Sequence, residues 1–164
     1  MFGTSPIELL AADAMLRGAV FCNGYIYSAQ WLTGTTSALG ASATVDQTIQ
    51  ITSEADFVVQ QMTGTAFTAL DTIKTDPDYT INITISSGRP WFDRAQTWRD
   101  VVPSFQATVQ VLTLPFPRLI PAQSTLTLRI ANRTAVAANR VTIALSGFNV
   151  YYQKETRQQV FHAL

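Results

Sequence analysis

Along most of this chain apolar and polar residues alternate with a period of two, and glycine, proline and aspartate turns cut the alternation into short runs. Side chains two positions apart share one face of an extended backbone, so each run predicts a strand with one buried face. The last third shows this most clearly, in Phe105-Gln-Ala-Thr-Val-Gln-Val-Leu-Thr113, Ser124-Thr-Leu-Thr-Leu-Arg-Ile130 and Arg140-Val-Thr-Ile-Ala-Leu-Ser-Gly-Phe-Asn-Val-Tyr-Tyr152. Between the first two stands Leu114-Pro-Phe-Pro-Arg-Leu-Ile-Pro121. Its prolines have no amide to donate and cannot occupy a central strand, so the segment predicts a crossing between sheets.

Five further strands are predicted upstream: Val20–Tyr27, with a kink or an Asn-Gly turn at Gly24, then Val45–Ile51, Asp56–Met62, Ala66–Ile73 and Tyr79–Ser86. Thr-Gly-Thr at 63–65, Asp-Pro-Asp at 76–78 and Ser-Gly-Arg-Pro at 87–90 supply turn chemistry between them. About eight short strands with such punctuation predict an all-β chain forming a single antiparallel β-sandwich. The two long connections, 87–104 and 114–121, are of the kind a Greek key or jelly roll needs, so the sandwich is expected to be jelly-roll-like.

One helix is expected, ahead of the strands. Ser5 can cap it, Pro6 suits its first turn, Glu8 closes a capping box, and Ile7, Leu10, Ala11 and Ala14 line one face up to Arg17-Gly18. At about eleven residues it is marginal alone and must dock on its own domain or on a neighbouring subunit. The expected organisation is therefore a helical arm at 1–18, a β-sandwich domain at 19–152 and a tail at 153–164.

At 164 residues the chain suits one domain, able to bury roughly 70% of its extended surface. Charged residues are only 13% of it, with eleven basic balancing eleven acidic. No global field is available to attract nucleic acid or an anionic membrane, and neither is expected as a partner. Nine of the eleven basic residues are arginine, the cation that interfaces favour for its planar, weakly hydrated fork. No run reaches the length of a membrane helix. Glu8 and Asp13 interrupt the early apolar stretch, so no secretory signal is expected.

Reactive chemistry is sparse. Cys22 is the single cysteine, expected to fill a strand core, and His162 the single imidazole, close to the end. A nucleophile paired with a base, or a nitrogen–sulfur metal site, would need both brought together with more besides. Asp71, Asp76 and Asp78 straddle a turn without calcium-loop spacing, and no phosphate loop or nucleophile elbow is present. Asn82-Ile-Thr and Asn132-Arg-Thr match glycosylation acceptors by chance, lying in or beside strands. The chain is expected to be no enzyme and to need no cofactor or metal.

The segment with the most distinctive composition is Arg89-Pro-Trp-Phe-Asp-Arg-Ala-Gln-Thr-Trp-Arg-Asp100. Tryptophan and arginine dominate binding hot spots because they bury large areas while keeping a polar handle. Trp91, Phe92, Arg94, Trp98 and Arg99 are accordingly expected at an intersubunit contact, with Leu9, Leu10 and Met15 of the arm as a second set. Two other readings stand beside this one. The loop can fold back so that its aromatics cap one end of the sandwich, or Trp91 and Trp98 can stack on a carbohydrate.

The Ile51-Thr-Ser-Glu-Ala-Asp-Phe57 opening, the Thr-Ile-x-Ile and Ser-Gly-Arg that follow, and Leu119-Ile-Pro-Ala-Gln-Ser-Thr-Leu-Thr-Leu-Arg-Ile-Ala-Asn132 with Val141-Thr-Ile-Ala-Leu-Ser-Gly-Phe148 form a pattern. Across roughly 45–152 it resembles small virion proteins of tailed bacteriophages. That resemblance implies a jelly roll acting as a homo-oligomer, for instance a trimer. It also implies a place in the virion, assembled in the host cytoplasm, as a capsid decoration or cement protein on the major capsid protein. A neck, tail or fibre component is the alternative within that class. A carbohydrate- or receptor-binding module and, third, a hydrolase are the alternatives outside it.

Overall fold

The computed structural model describes residues 19–68, 70, 73, 77–86, 90–102 and 112–152. Among them are eight strands: β1 (Ala19–Leu32), β2 (Thr44–Gln50), β3 (Asp56–Phe67), β4 (Tyr79–Ile85), β5 (Gln96–Thr97), β6 (Leu112–Ile120), β7 (Thr125–Asn132) and β8 (Arg140–Tyr152). They form two four-stranded sheets, β1-β8-β3-β6 and β2-β7-β4-β5, with every neighbouring pair antiparallel. The expected helical arm at 1–18, with Leu9, Leu10 and Met15, and the tail at 153–164 lie outside the described residues.

The alternation read from sequence is what builds the core. Leu126, Leu128 and Ile130 of β7, Ile81 and Ile83 of β4, and Val141, Ile143 and Leu145 of β8 are fully buried in one cluster to which both sheets contribute. Among the described residues the two sheets thus pack as a β-sandwich, and each such aliphatic side chain contributes about 2 kcal/mol by leaving water. A second, smaller cluster sits on the other face of the first sheet. There Phe148 and Val150 pack with Cys22, Val58 and Tyr152. Cys22 therefore lies outside the main core, and partial burial pushes its thiol pKa up.

Three expectations about breaks are corrected. Gly24 is neither turn nor kink, for β1 runs through it paired with Phe148. Thr63-Gly64-Thr65 is no turn either: all three residues are paired with β8 in mid-ladder, and β3 is one strand of 12 residues. The reason is packing. A Cβ on Gly64 would sit 2.9 Å from Cη2 of Trp98 and 2.8 Å from Cγ1 of Val102, so the glycine is a bare patch of strand on which the indole lies. Ala66 and Phe67 end β3, and Ile73 returns only as a single bridge to Phe67.

The third correction concerns Leu114–Pro121, which is largely strand rather than a crossing. β6 is an edge of its sheet. Its partners in β3 jump from Arg118, opposite Val59, to Thr113, opposite Gln61, leaving Leu114–Pro117 without a ladder partner. Pro115 and Pro117 thus fall where no amide is required, at an edge and in an irregularity. Residues 103–111, most of the strand expected at 105–113, are outside the described set.

Candidate interaction surface

The tryptophan–arginine loop folds back onto the sandwich. Pro90 bridges to Thr84, and the Trp91 amide donates to the Ile83 carbonyl at 2.8 Å. Gln96–Thr97 then adds to β4 as the short strand β5, opposite Ile81 and Thr80. One helical turn follows, Trp98–Val101, where the Thr97 hydroxyl donates to Asp100 Oδ2 at 2.6 Å. Trp91 is 6% exposed and Trp98 3%, both in the main core. Trp98 meets Tyr79 edge-to-face with ring centroids 5.7 Å apart.

The burial of these two rings matches the alternative reading, in which the loop folds back and its aromatics cap one end of the sandwich. An indole brings a large apolar area, and here the end of the chain's own core takes it. Phe92 is half-buried against the same core, and Arg94 is exposed. Arg99 contributes backbone to the helical turn, and its side chain is not described. Of the loop set, Arg94 is the described side chain at the surface.

The burial of Trp98's neighbour has a titration consequence. Desolvation pushes the Tyr79 phenol up to about 12 from 10.0. Between those values the unfolded chain has lost the proton that the folded chain retains, so folding stability falls as pH rises. Denaturation midpoints measured from pH 9 to 12 are expected to drop more steeply for the native chain than for Tyr79→Phe. Parallel curves would refute the assignment.

Three of the exposed large apolar side chains among the described residues share one strand, β1. Phe21, Tyr25 and Ile26 are 54%, 46% and 64% exposed. Phe21 packs on Tyr151 with centroids 5.6 Å apart. Tyr25 leans on Tyr27 at 4.6 Å, and Tyr27 meets the fully buried Phe57 edge-on at 4.8 Å, so an aromatic series runs from the surface into the core. The Tyr27 hydroxyl also accepts the Thr52 amide at 3.2 Å, which holds the series in place.

Beside these rings a shallow depression of about 410 Å³ opens over β1, β8 and β3, lined by Gly24, Tyr25, Ile26, Gln60, Ser146 and Gly147. Its shape follows from two glycines and a bulge. Val58 and Val59 face Phe148 and Gly147, but Gln61 faces Ser146, so Gln60 is an extra residue on β3. The backbones approach closely there: a Cβ on Gly147 would collide with the Val58 carbonyl oxygen, whereas a Cβ on Gly24 would have nothing within 4 Å.

Among the described residues no three carboxylate, imidazole or thiol groups gather as a metal would need. Asp71, Asp76 and His162 are not described, and Asp78 is exposed. The ion pair that is described, Arg129 with Asp46, is a fork with two contacts of 2.8 Å across β7 and β2. The guanidinium's hydrogen bonds hold the Asp46 carboxyl below its usual pKa. Sequence reasoning passed over the β1 surface because it sought hot spots in tryptophan and arginine. The available signal was a run of 14 residues with no charge.

No family model matches the chain, and no curated protein matches it in sequence. Among solved structures it is similar to the VP2 subviral particle of infectious bursal disease virus, at 13% identity over 82% of this chain and 34% of that one, with a TM-score of 0.33. It is also similar to the structure of the Gx strain of that virus, at 12% identity over 86% and 45%, with a TM-score of 0.25. The chain spans about a third to under half the length of these matched chains.

Proposed function

We propose that this chain is a jelly-roll structural protein of a virion, a capsid decoration or cement protein that binds the shell of a tailed-phage head and works by burying surface rather than by turnover. The observation that carries the reading is the strand order. The ladders pair β1 with β8, β2 with β7, β3 with β6 and β4 with β5. These nested pairs alternate between the two sheets, which is the order produced when one long antiparallel ribbon rolls up as a jelly roll. The resemblance of 45–152 to small phage virion proteins, the low charge and the exposed rings of β1 support the same reading.

A protein that binds only assembled shells stabilises them by mass action. The test is to add the purified chain to heads that lack it. Saturable uptake at a fixed copy number, with a raised temperature of head disruption, is expected. A particle map with density at the neck or tail would select the runner-up, and absence of the chain from particles would overturn the virion reading altogether.

A further inference from the structure

We propose that β1 is a docking edge for a second copy of this chain, two β1 strands pairing antiparallel across a two-fold axis perpendicular to the first sheet. An edge strand presents a row of amides and carbonyls ready to pair, and folded proteins blunt such edges with prolines, charges, bulges or shortness. Among the described residues the sandwich has four edges: β1 and β6 of one sheet, β2 and β5 of the other. β6 holds Pro115, Pro117 and Arg118. β5 is two residues long. β2 is seven residues long and carries the Asp46 carboxylate near its middle.

From Phe21 to Leu32, β1 has none of these protections. It runs for 14 residues with no proline and no charge, and its pairing with β8 is irregular only at its start, between Ala19 and Phe21. The occupant follows from this contrast. In a second copy the other three edges are blunted, so the edge it has to offer is its own β1. Pairing of an edge with itself closes as a dimer and does not propagate into a filament. The pairing also sets no like charges opposite one another, because the strand carries none.

The exposed side chains agree with this geometry. Tyr25 and Ile26 stand at the middle of β1 and are 46% and 64% exposed. Because neighbours along a strand point to opposite faces, a two-fold at either residue covers apolar area on both faces of the joined sheet. Pairing at this edge does not depend on the virion reading.

The chain should sediment at twice its mass of 18.0 kDa. Tyr25→Lys with Ile26→Lys sets like charges near the axis and is expected to weaken association at least tenfold, while the monomer still unfolds cooperatively and Tyr25→Ala, which also loses the Tyr27 contact but adds no charge, weakens association less. In a Cys22→Ser background, either Tyr25→Cys or Ile26→Cys should form an intermolecular disulfide, and not both, since one register puts only one of them on the axis. A wild-type chain that stays monomeric at high concentration, a trimer, or a lysine variant that dimerises like the wild type would each overturn the proposal. A monomer whose β1 amides resist exchange would overturn it in favour of a segment of the same chain. Dimerisation without uptake on heads refutes the virion reading alone, and uptake by a monomer refutes the edge alone.

Discussion

Gly147→Ala is expected to lower stability by on the order of 4 kcal/mol, placing it among the rare large single-residue effects. The added Cβ would collide with the Val58 carbonyl oxygen and crowd the Val58 carbonyl carbon and Val59 Cα at 2.9 and 3.2 Å. All three are backbone atoms, so no side chain can turn aside. Relief would require opening the β3–β8 ladder at the Gln60 bulge, in the middle of the first sheet. For a domain of this size the loss corresponds to a fall in melting temperature of roughly 8–16 °C. Gly24→Ala is the matched control, since its Cβ would have nothing within 4 Å. It is expected to leave stability unchanged or to raise it by up to about 1 kcal/mol. Calorimetry showing equal midpoints for the two variants would mean the strands do not approach closely at residue 147.

Trp98→Ala is expected to destabilise the fold by about 3–5 kcal/mol, the usual cost of removing a buried tryptophan. The ring lies on the bare backbone of Gly64 and against Tyr79. Gly64→Ala attacks the same contact from beneath and should cost about 1–3 kcal/mol through overpacking. Because both act on one contact, the double variant should lose less than the sum of the two. Urea unfolding of the four proteins measures this coupling. If Trp98→Ala unfolded like the wild type but lost its partner, the indole would belong to an interface and its place in the core would be wrong.

These two tryptophan and glycine positions show where sequence was legible and where it was not. Alternation in Thr125–Asn132 and Arg140–Tyr152 marked both strands and their buried faces, because period-two burial is a local property of the backbone. Gly64 misled, since whether a glycine turns a chain or leaves room for a ring depends on a residue 34 positions away, Trp98. Pro115 and Pro117 misled for a related reason. Proline excludes a central strand but not an edge, and edge position is set by topology rather than by the segment itself. Trp91 and Trp98 carry the composition of a hot spot and the burial of a core, which composition alone does not separate. The exposed rings of β1 were legible in principle, in a strand-patterned run without a single charge, but only a known sheet order shows that this run lies at an edge.

That sheet order also dictates when the surface of β1 can exist. The first sheet runs β1-β8-β3-β6, so the first and the last of its described strands in chain order are neighbours, with Ala19 opposite Tyr152. While the chain is being synthesised, β3 and β6 can pair as soon as both have emerged, but among the described strands β1 has no neighbour until Arg140–Tyr152 appears and slots between β1 and β3. Late long-range closure of this kind is slow and leaves strands exposed. It also acts as a check on the making of β8. A chain interrupted before Arg140 lacks the strand that seats β1 and cannot present β1 at a defined edge, so only molecules extended through Tyr152 can offer the geometry through which a second copy is admitted.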